Sequence, residues 1–245
     1  MLLLRSLALN VFGFGSVVLF ATVILLCFWA PYRFNWFLCT TWCRLALWAS
    51  RFFCGIRIVV EGAEHVPDRP SVVMIKHTST LETLWQVTFF PQATWVVKRE
   101  ILWAPFFGWA IGLALHPIAI DRASRGTAVK QVIAKGTEKL RQGIWVTIFP
   151  EGTRMAPGQT RKYGISGAAL ACEAGALIVP VAHNAGDVWR RRSFIKRPGT
   201  VRFVIGPPID PAGREPRDIN VILQDWIEAR MREISTCYQG KETQT

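Results

Sequence analysis

Two hydrophobic patterns meet near residue 55. From Leu7 to Trp29 the chain runs for 23 residues without a charge. As a helix that run would be about 34 Å long, enough to cross the hydrocarbon core of a bilayer. It is too long for a signal-peptide core, and "CFWAPYR" is a poor cleavage site, so it reads as an uncleaved membrane anchor. A second apolar and aromatic segment, Arg33 to Phe53, is broken by Arg44 and carries Trp36, Trp42 and Trp48. Indoles favour the headgroup region, so a second helix is expected in or dipping into the interface, joined to the first at Pro31. The first helix either spans the bilayer or forms half of a re-entrant hairpin.

After Gly55 short apolar runs alternate with longer amphipathic ones. The runs at 56–60, 71–75, 93–97, 117–120, 144–149, 177–181 and 200–205 predict buried strands. Between them, 80–90, 101–113, 126–142, 166–175 and 216–236 predict helices. Strand–helix alternation argues for an α/β fold: a layered, mainly parallel sheet flanked by helices, behind an N-terminal hydrophobic helical anchor. The expected division is 1–54 for the anchoring helices and 55–245 for one α/β domain. In such sheets, sites form where loops leave the strand ends.

Charge sharpens this division. The net charge is +12, yet residues 1–54 hold only Arg5, Arg33, Arg44 and Arg51 and no acidic residue. Arg33, Arg44, Arg51 and Arg57 all follow the first apolar run, which by the positive-inside rule puts the C-terminal bulk in the cytoplasm. Arg190, Arg191, Arg192, Lys196 and Arg197 form a cluster expected to face anionic lipid headgroups. No nucleic-acid recognition motif accompanies the basic charge. The six cysteines include no C-x-x-C pair, so neither a disulfide framework nor a zinc site is expected.

Two strand ends carry candidate chemistry. In "IKHTSTLETLW", His77 stands five residues before Glu82, just past the second predicted strand. Ser79 and Glu82 also fit a capping box at a helix start. With 4 His and 17 acidic residues in 245, about 0.3 such pairs arise by chance, so spacing alone decides nothing. On one continuous helix, residues five apart point about 140° away from each other. A contact therefore needs His77 in the loop. "HPIAID" offers a rival, His116 and Asp121, but five residues apart on a strand face opposite sides. "IFPEGTR", Ile148 to Arg154, closes another strand with a tight turn at Gly152, whose amides with Thr153 and Arg154 suit an oxyanion such as phosphate.

Taken in order, "KHTSTLET", "VKREIL", "IAIDR", "FPEGTR" and "IVPVAHN" resemble the motif series of the glycerolipid acyltransferases, the bacterial 1-acyl-sn-glycerol-3-phosphate acyltransferases above all. The resemblance covers roughly residues 55–210. That family's first motif is His–x4–Asp, whereas this chain has Glu82. The resemblance implies His77 as general base and Glu82 as its orienting partner. It implies substrate binding by Lys98, Asp121, Arg122, Glu151, Gly152, Thr153 and Arg154, with Val179, Pro180 and Val181 shaping the acyl-side pocket. It further implies acyl transfer from acyl-CoA or acyl carrier protein to lysophosphatidate, without a metal or other cofactor, at the bacterial inner membrane. Expected partners are membrane lipids and these substrates, not nucleic acid. Competing readings are another lyso-lipid acceptor, such as lyso-ornithine lipid, or a catalytically idle membrane scaffold. A serine hydrolase is disfavoured because "YGISGA" lacks G-x-S-x-G.

Overall fold

The computed structural model describes residues 1–121 and 125–238, apart from the Arg125 side chain. Two long helices, α1 (Leu2–Leu26) and α2 (Tyr32–Cys54), precede an α/β domain. Its strands are β1 (Ile56–Glu61), β2 (Val72–Ile75), β3 (Ala93–Lys98), β4 (Ile118–Ile120), β5 (Trp145–Ile148), β6 (Ile178–His183) and β7 (Gly199–Ile205). All seven apolar runs are therefore strands, in one sheet of order β1-β7-β6-β2-β5-β3-β4. Every pairing is parallel except β6 with β7. Wholly buried β2, β5 and β6 lie side by side, as continuous apolar runs require when helices cover both faces.

Helices α3 (Leu81–Phe89), α5 (Arg125–Arg141), α6 (Ser166–Ala174), α7 (Ala185–Val188) and α8 (Pro216–Ile234) connect or cover these strands. The single helix expected over 101–113 is instead three pieces. A 3-10 turn (Arg99–Trp103) leads to α4 (Phe107–Ala110) and then a π-helical turn (Ile111–Leu115). Pro105 disfavours helical geometry at the residue before it. Phe106 takes a left-handed φ of 60°, and Gly108 packs where a side chain would strike the Ile101 carbonyl.

α1 is the one helix among the described residues long and apolar enough to cross a membrane, with a mean hydropathy of 2.3 over its best window. It does not stand apart from the domain. Ala21 and Ile24 pack against Ala110 and Ala114. At its other end, Ser6 Oγ accepts the Lys196 amide at 2.9 Å, and Lys196 Nζ reaches Asn10 Oδ1 at 2.6 Å. Lys196 is thus buried against α1, not presented to headgroups as its place in a basic cluster predicts; Arg190, Arg191, Arg192 and Arg197 are exposed. Helix α2 joins the central core directly. Trp36 stacks on Trp95 with centroids 5.7 Å apart, Tyr32 Oη donates to the Ala93 carbonyl, and Ala46 and Ala49 pack with Ile56, Trp85 and Phe203.

Candidate active site

β2, β5 and β3 run parallel and adjacent, so their C-terminal ends deliver His77, the Phe149–Arg154 turn and Lys98 to one edge of the sheet. His77 sits in the loop between β2 and α3, where the chain bends back on itself. Its Nδ1 lies 2.9 Å from Glu82 Oε1. The same oxygen accepts the Ser79 amide at 2.9 Å and the Thr78 amide at 3.2 Å, while Ser79 Oγ accepts the Leu81 amide. Glu82 therefore takes the Thr78 and Ser79 amides and orients the histidine with one oxygen; the Ser79–Glu82 capping box is half formed, since Ser79 Oγ takes the Leu81 amide and Thr80 is the N-cap.

Glu82 is fully buried. Burial alone would raise its pKa, but the nearby His183 and His77 rings and the Ser79 amide outweigh that and hold the carboxyl below its ordinary value. An ionised Glu82 fixes the proton on His77 Nδ1, which leaves Nε2 as the basic nitrogen. The ring stacks on Phe149 with centroids 4.0 Å apart, and the His77 carbonyl takes the Met155 amide at 2.7 Å. His183, buried on β6, donates from Nε2 to the Lys76 carbonyl at 2.6 Å and accepts the Ala185 amide at Nδ1. Burial pushes its pKa down, against the pull of the Glu82 carboxylate.

Behind His77, Lys76 is wholly buried. Its Nζ pairs with Glu151 at 3.0 Å and with Glu228 at 2.6 Å. Burial opposes its charge, yet the two carboxylates and Tyr238 more than compensate and keep it protonated. Burial raises Glu151 to about 7. The Glu151 carboxyl also receives the His77 amide at 3.4 Å, so it supports the His77 loop as well as lining the cavity beside it.

His77 opens onto a cavity of about 760 Å³. Its wall carries the basic side chains Lys98, Arg154, Arg161 and Lys162. It also carries apolar ones: Cys39 and Cys43 of α2, Leu84 and Val87 of α3, Trp95 of β3, and Ile111. Gly152 lines it too, with a left-handed φ of 66° that a β-carbon would strain. Arg154 buries its Nε there without a hydrogen-bond partner. Lys98 pairs with Glu100 at 2.8 Å on the rim.

Other expected residues lie elsewhere. Thr153 and Asp121 are not in the cavity wall, and Arg122 lies outside the described residues. Val179 and Val181 are completely buried core residues of β6 and are not in the cavity wall they were expected to shape. His116 and Asp121 stand exposed at opposite ends of β4, and His116 shares a shallow groove with Lys135 and Glu138. Lys76 and His183 stand inside the motifs KHTSTLET and IVPVAHN, where they were given no role, while Arg161, Lys162 and Glu228 carry no marking spacing. A further cue was Lys76 itself, a charge abutting an all-apolar strand.

Comparison with known proteins agrees with this geometry. The acyltransferase family profile matches residues 57–184. The chain belongs to the acyltransferase family. It is 44% identical over 237 residues to the 1-acyl-sn-glycerol-3-phosphate acyltransferase of Pseudomonas aeruginosa, spanning 95% of this chain and 90% of that one. The human 1-acyl-sn-glycerol-3-phosphate acyltransferase alpha is 33% identical, over 80% and 71% of the two chains. The fold matches the crystal structure of the 1-acyl-sn-glycerophosphate acyltransferase PlsC from Thermotoga maritima, with a TM-score of 0.78, 20% identity, and 100% and 98% coverage. The α/β sheet and its apolar N-terminal helix are thus those of an acyltransferase of this family.

Proposed function

We propose that this acyltransferase moves a fatty acyl group from an acyl thioester to the sn-2 hydroxyl of 1-acyl-glycerol-3-phosphate, giving phosphatidic acid. The observation that carries the reading is His77, held by a buried, ionised Glu82, in the wall of a cavity lined by both basic and apolar side chains. A lysophosphatidate presents the counterparts: a phosphate, a free hydroxyl, and a chain. The names of the relatives point to the same acceptor.

The residues divide the work. Lys98 and Arg154 hold the acceptor phosphate, Arg as a planar fork and Lys as a point charge. His77 Nε2 takes the proton of the hydroxyl, whose oxygen attacks the thioester carbonyl carbon. Glu82 stabilises the resulting imidazolium and keeps its ring oriented. The tetrahedral intermediate collapses with cleavage of the carbon–sulfur bond, and the thiolate takes the proton from the imidazolium. No covalent enzyme intermediate and no cofactor enter this scheme.

The exposed apolar residues of α1 and the 101–113 segment, among them Phe14, Leu26, Trp103 and Trp109, fit contact with lipid. We place the enzyme at the bacterial inner membrane with its α/β domain on the cytoplasmic side, where thioester donors are made. A panel tests the whole reading: acyl-CoA and acyl carrier protein as donors, against lysophosphatidate and phosphate-free lyso-lipids as acceptors. Transfer to lysophosphatidate is expected from at least one donor. A strong preference for a phosphate-free acceptor, or no transfer from either thioester, would overturn it.

A further inference from the structure

Along α8, Asn220, Gln224 and Glu228 recur every four residues and so form a row on one helix face. All three grip the same irregular segment, residues 160–163. Asn220 Nδ2 donates to the Tyr163 carbonyl at 3.1 Å. Gln224 accepts the Tyr163 amide at 3.0 Å and donates to the Arg161 carbonyl at 3.2 Å. Glu228 Oε1 accepts the Thr160 hydroxyl at 2.7 Å and the Tyr163 hydroxyl at 2.8 Å, while also holding the buried Lys76. A segment outside regular structure must find partners for its backbone elsewhere, and here one helix face supplies them.

Between the fixed points stand Arg161 and Lys162. Both side chains are exposed, both line the cavity that His77 opens onto, and neither has an acidic partner among the described residues. A pair of surface cations is ordinarily just a solvated face. Two observations set this pair apart: the 160–163 segment that carries it is gripped by three α8 side chains, and it lines the same cavity as Arg154, whose buried Nε has no hydrogen-bond partner. A phosphate monoester offers three oxygens and nearly two negative charges, which suits two guanidinium groups and an ammonium lining one cavity.

We propose that Arg161 and Lys162 complete, with Arg154, a cradle for the phosphate monoester of the acceptor lipid, and that Asn220, Gln224 and Glu228 are positioning residues that hold the cradle open toward His77. The inference rests on the acceptor assigned above. It adds two binding residues and gives the C-terminal helix a part in choosing the acceptor.

The full-length protein in lipid vesicles provides the test. Arg161→Ala with Lys162→Ala should raise the KM for lysophosphatidate about tenfold or more, the cost of losing charged hydrogen bonds, with kcat, donor KM and thermal stability nearly unchanged. Restoring the charges in the opposite order, R161K with K162R, should recover most of the affinity. Gln224→Ala should raise the same KM by a smaller factor while leaving transfer to a phosphate-free monoacylglycerol unaltered. An unchanged lysophosphatidate KM in the double variant, or a raised donor KM instead, overturns the cradle. Calorimetry with glycerol 3-phosphate separates this from failure of the acceptor assignment: if wild type binds it and the double variant does not, the cradle stands even where no transfer is seen; equal binding removes it.

Discussion

Glu82 does two jobs with one oxygen, and that explains how a residue longer than the family's usual Asp is accommodated. The carboxylate reaches back from the first turn of α3 to the Thr78 and Ser79 amides and to His77 Nδ1. Glu82→Gln keeps the shape but loses the charge that favours the imidazolium; kcat should fall about a hundredfold, measured at saturating substrates. Glu82→Asp retains the charge and should lose less.

His183 gives a pH prediction at the same scale. Its folded pKa lies below the ordinary 6.5 because burial disfavours the charged ring. The unfolded chain therefore takes up this proton first, and the contribution of His183 to stability, complete above 6.5, is lost as pH falls. Glu151, raised to about 7 from 4.5, acts in the opposite sense, losing stability as pH rises through that window. The difference in thermal stability between wild type and His183→Gln isolates the histidine. The gap should narrow from pH 7 to 5, since Gln can make both hydrogen bonds without titrating.

At the scale of elements, the central strands β2, β5 and β6 were legible because their apolar runs are buried on both faces, and the flanking four because each run is short, apolar and bounded by turn residues. The expected helix at 101–113 was not, since Pro105, the left-handed Phe106 and the close approach at Gly108 override an apolar composition that any helix would tolerate. The catalytic loop was legible from strand-end position, but the Lys76–Glu228 pair was not: its partners lie 152 residues apart and meet only through the packing of α8. Lys196 and the Val179–Val181 stretch misled for a related reason. A cluster of charges or a run of motif letters fixes neither which side chain turns inward nor which face a strand presents. Elements also shape the cavity, since α2, α3 and β3 all contribute apolar side chains to its wall. Filling it with Val87→Trp should shift donor preference toward shorter acyl chains, with the lysophosphatidate phosphate site untouched. Turnover across a series of acyl-CoA chain lengths reads this directly.

Over the whole molecule, the two N-terminal helices and the α/β domain share a core. Trp36, Ala46 and Ala49 of α2 pack with β1, α3 and β7, and Cys39 and Cys43 line the same cavity as His77. That arrangement gives a cavity with basic and apolar side chains in the wall that His77 shares. The most direct measurement compares acyl transfer from a thioester to lysophosphatidate by wild type and His77→Ala in the same vesicles. The variant should bind and fold normally yet lose at least about a hundredfold in kcat. Turnover near that of wild type would contradict the central claim.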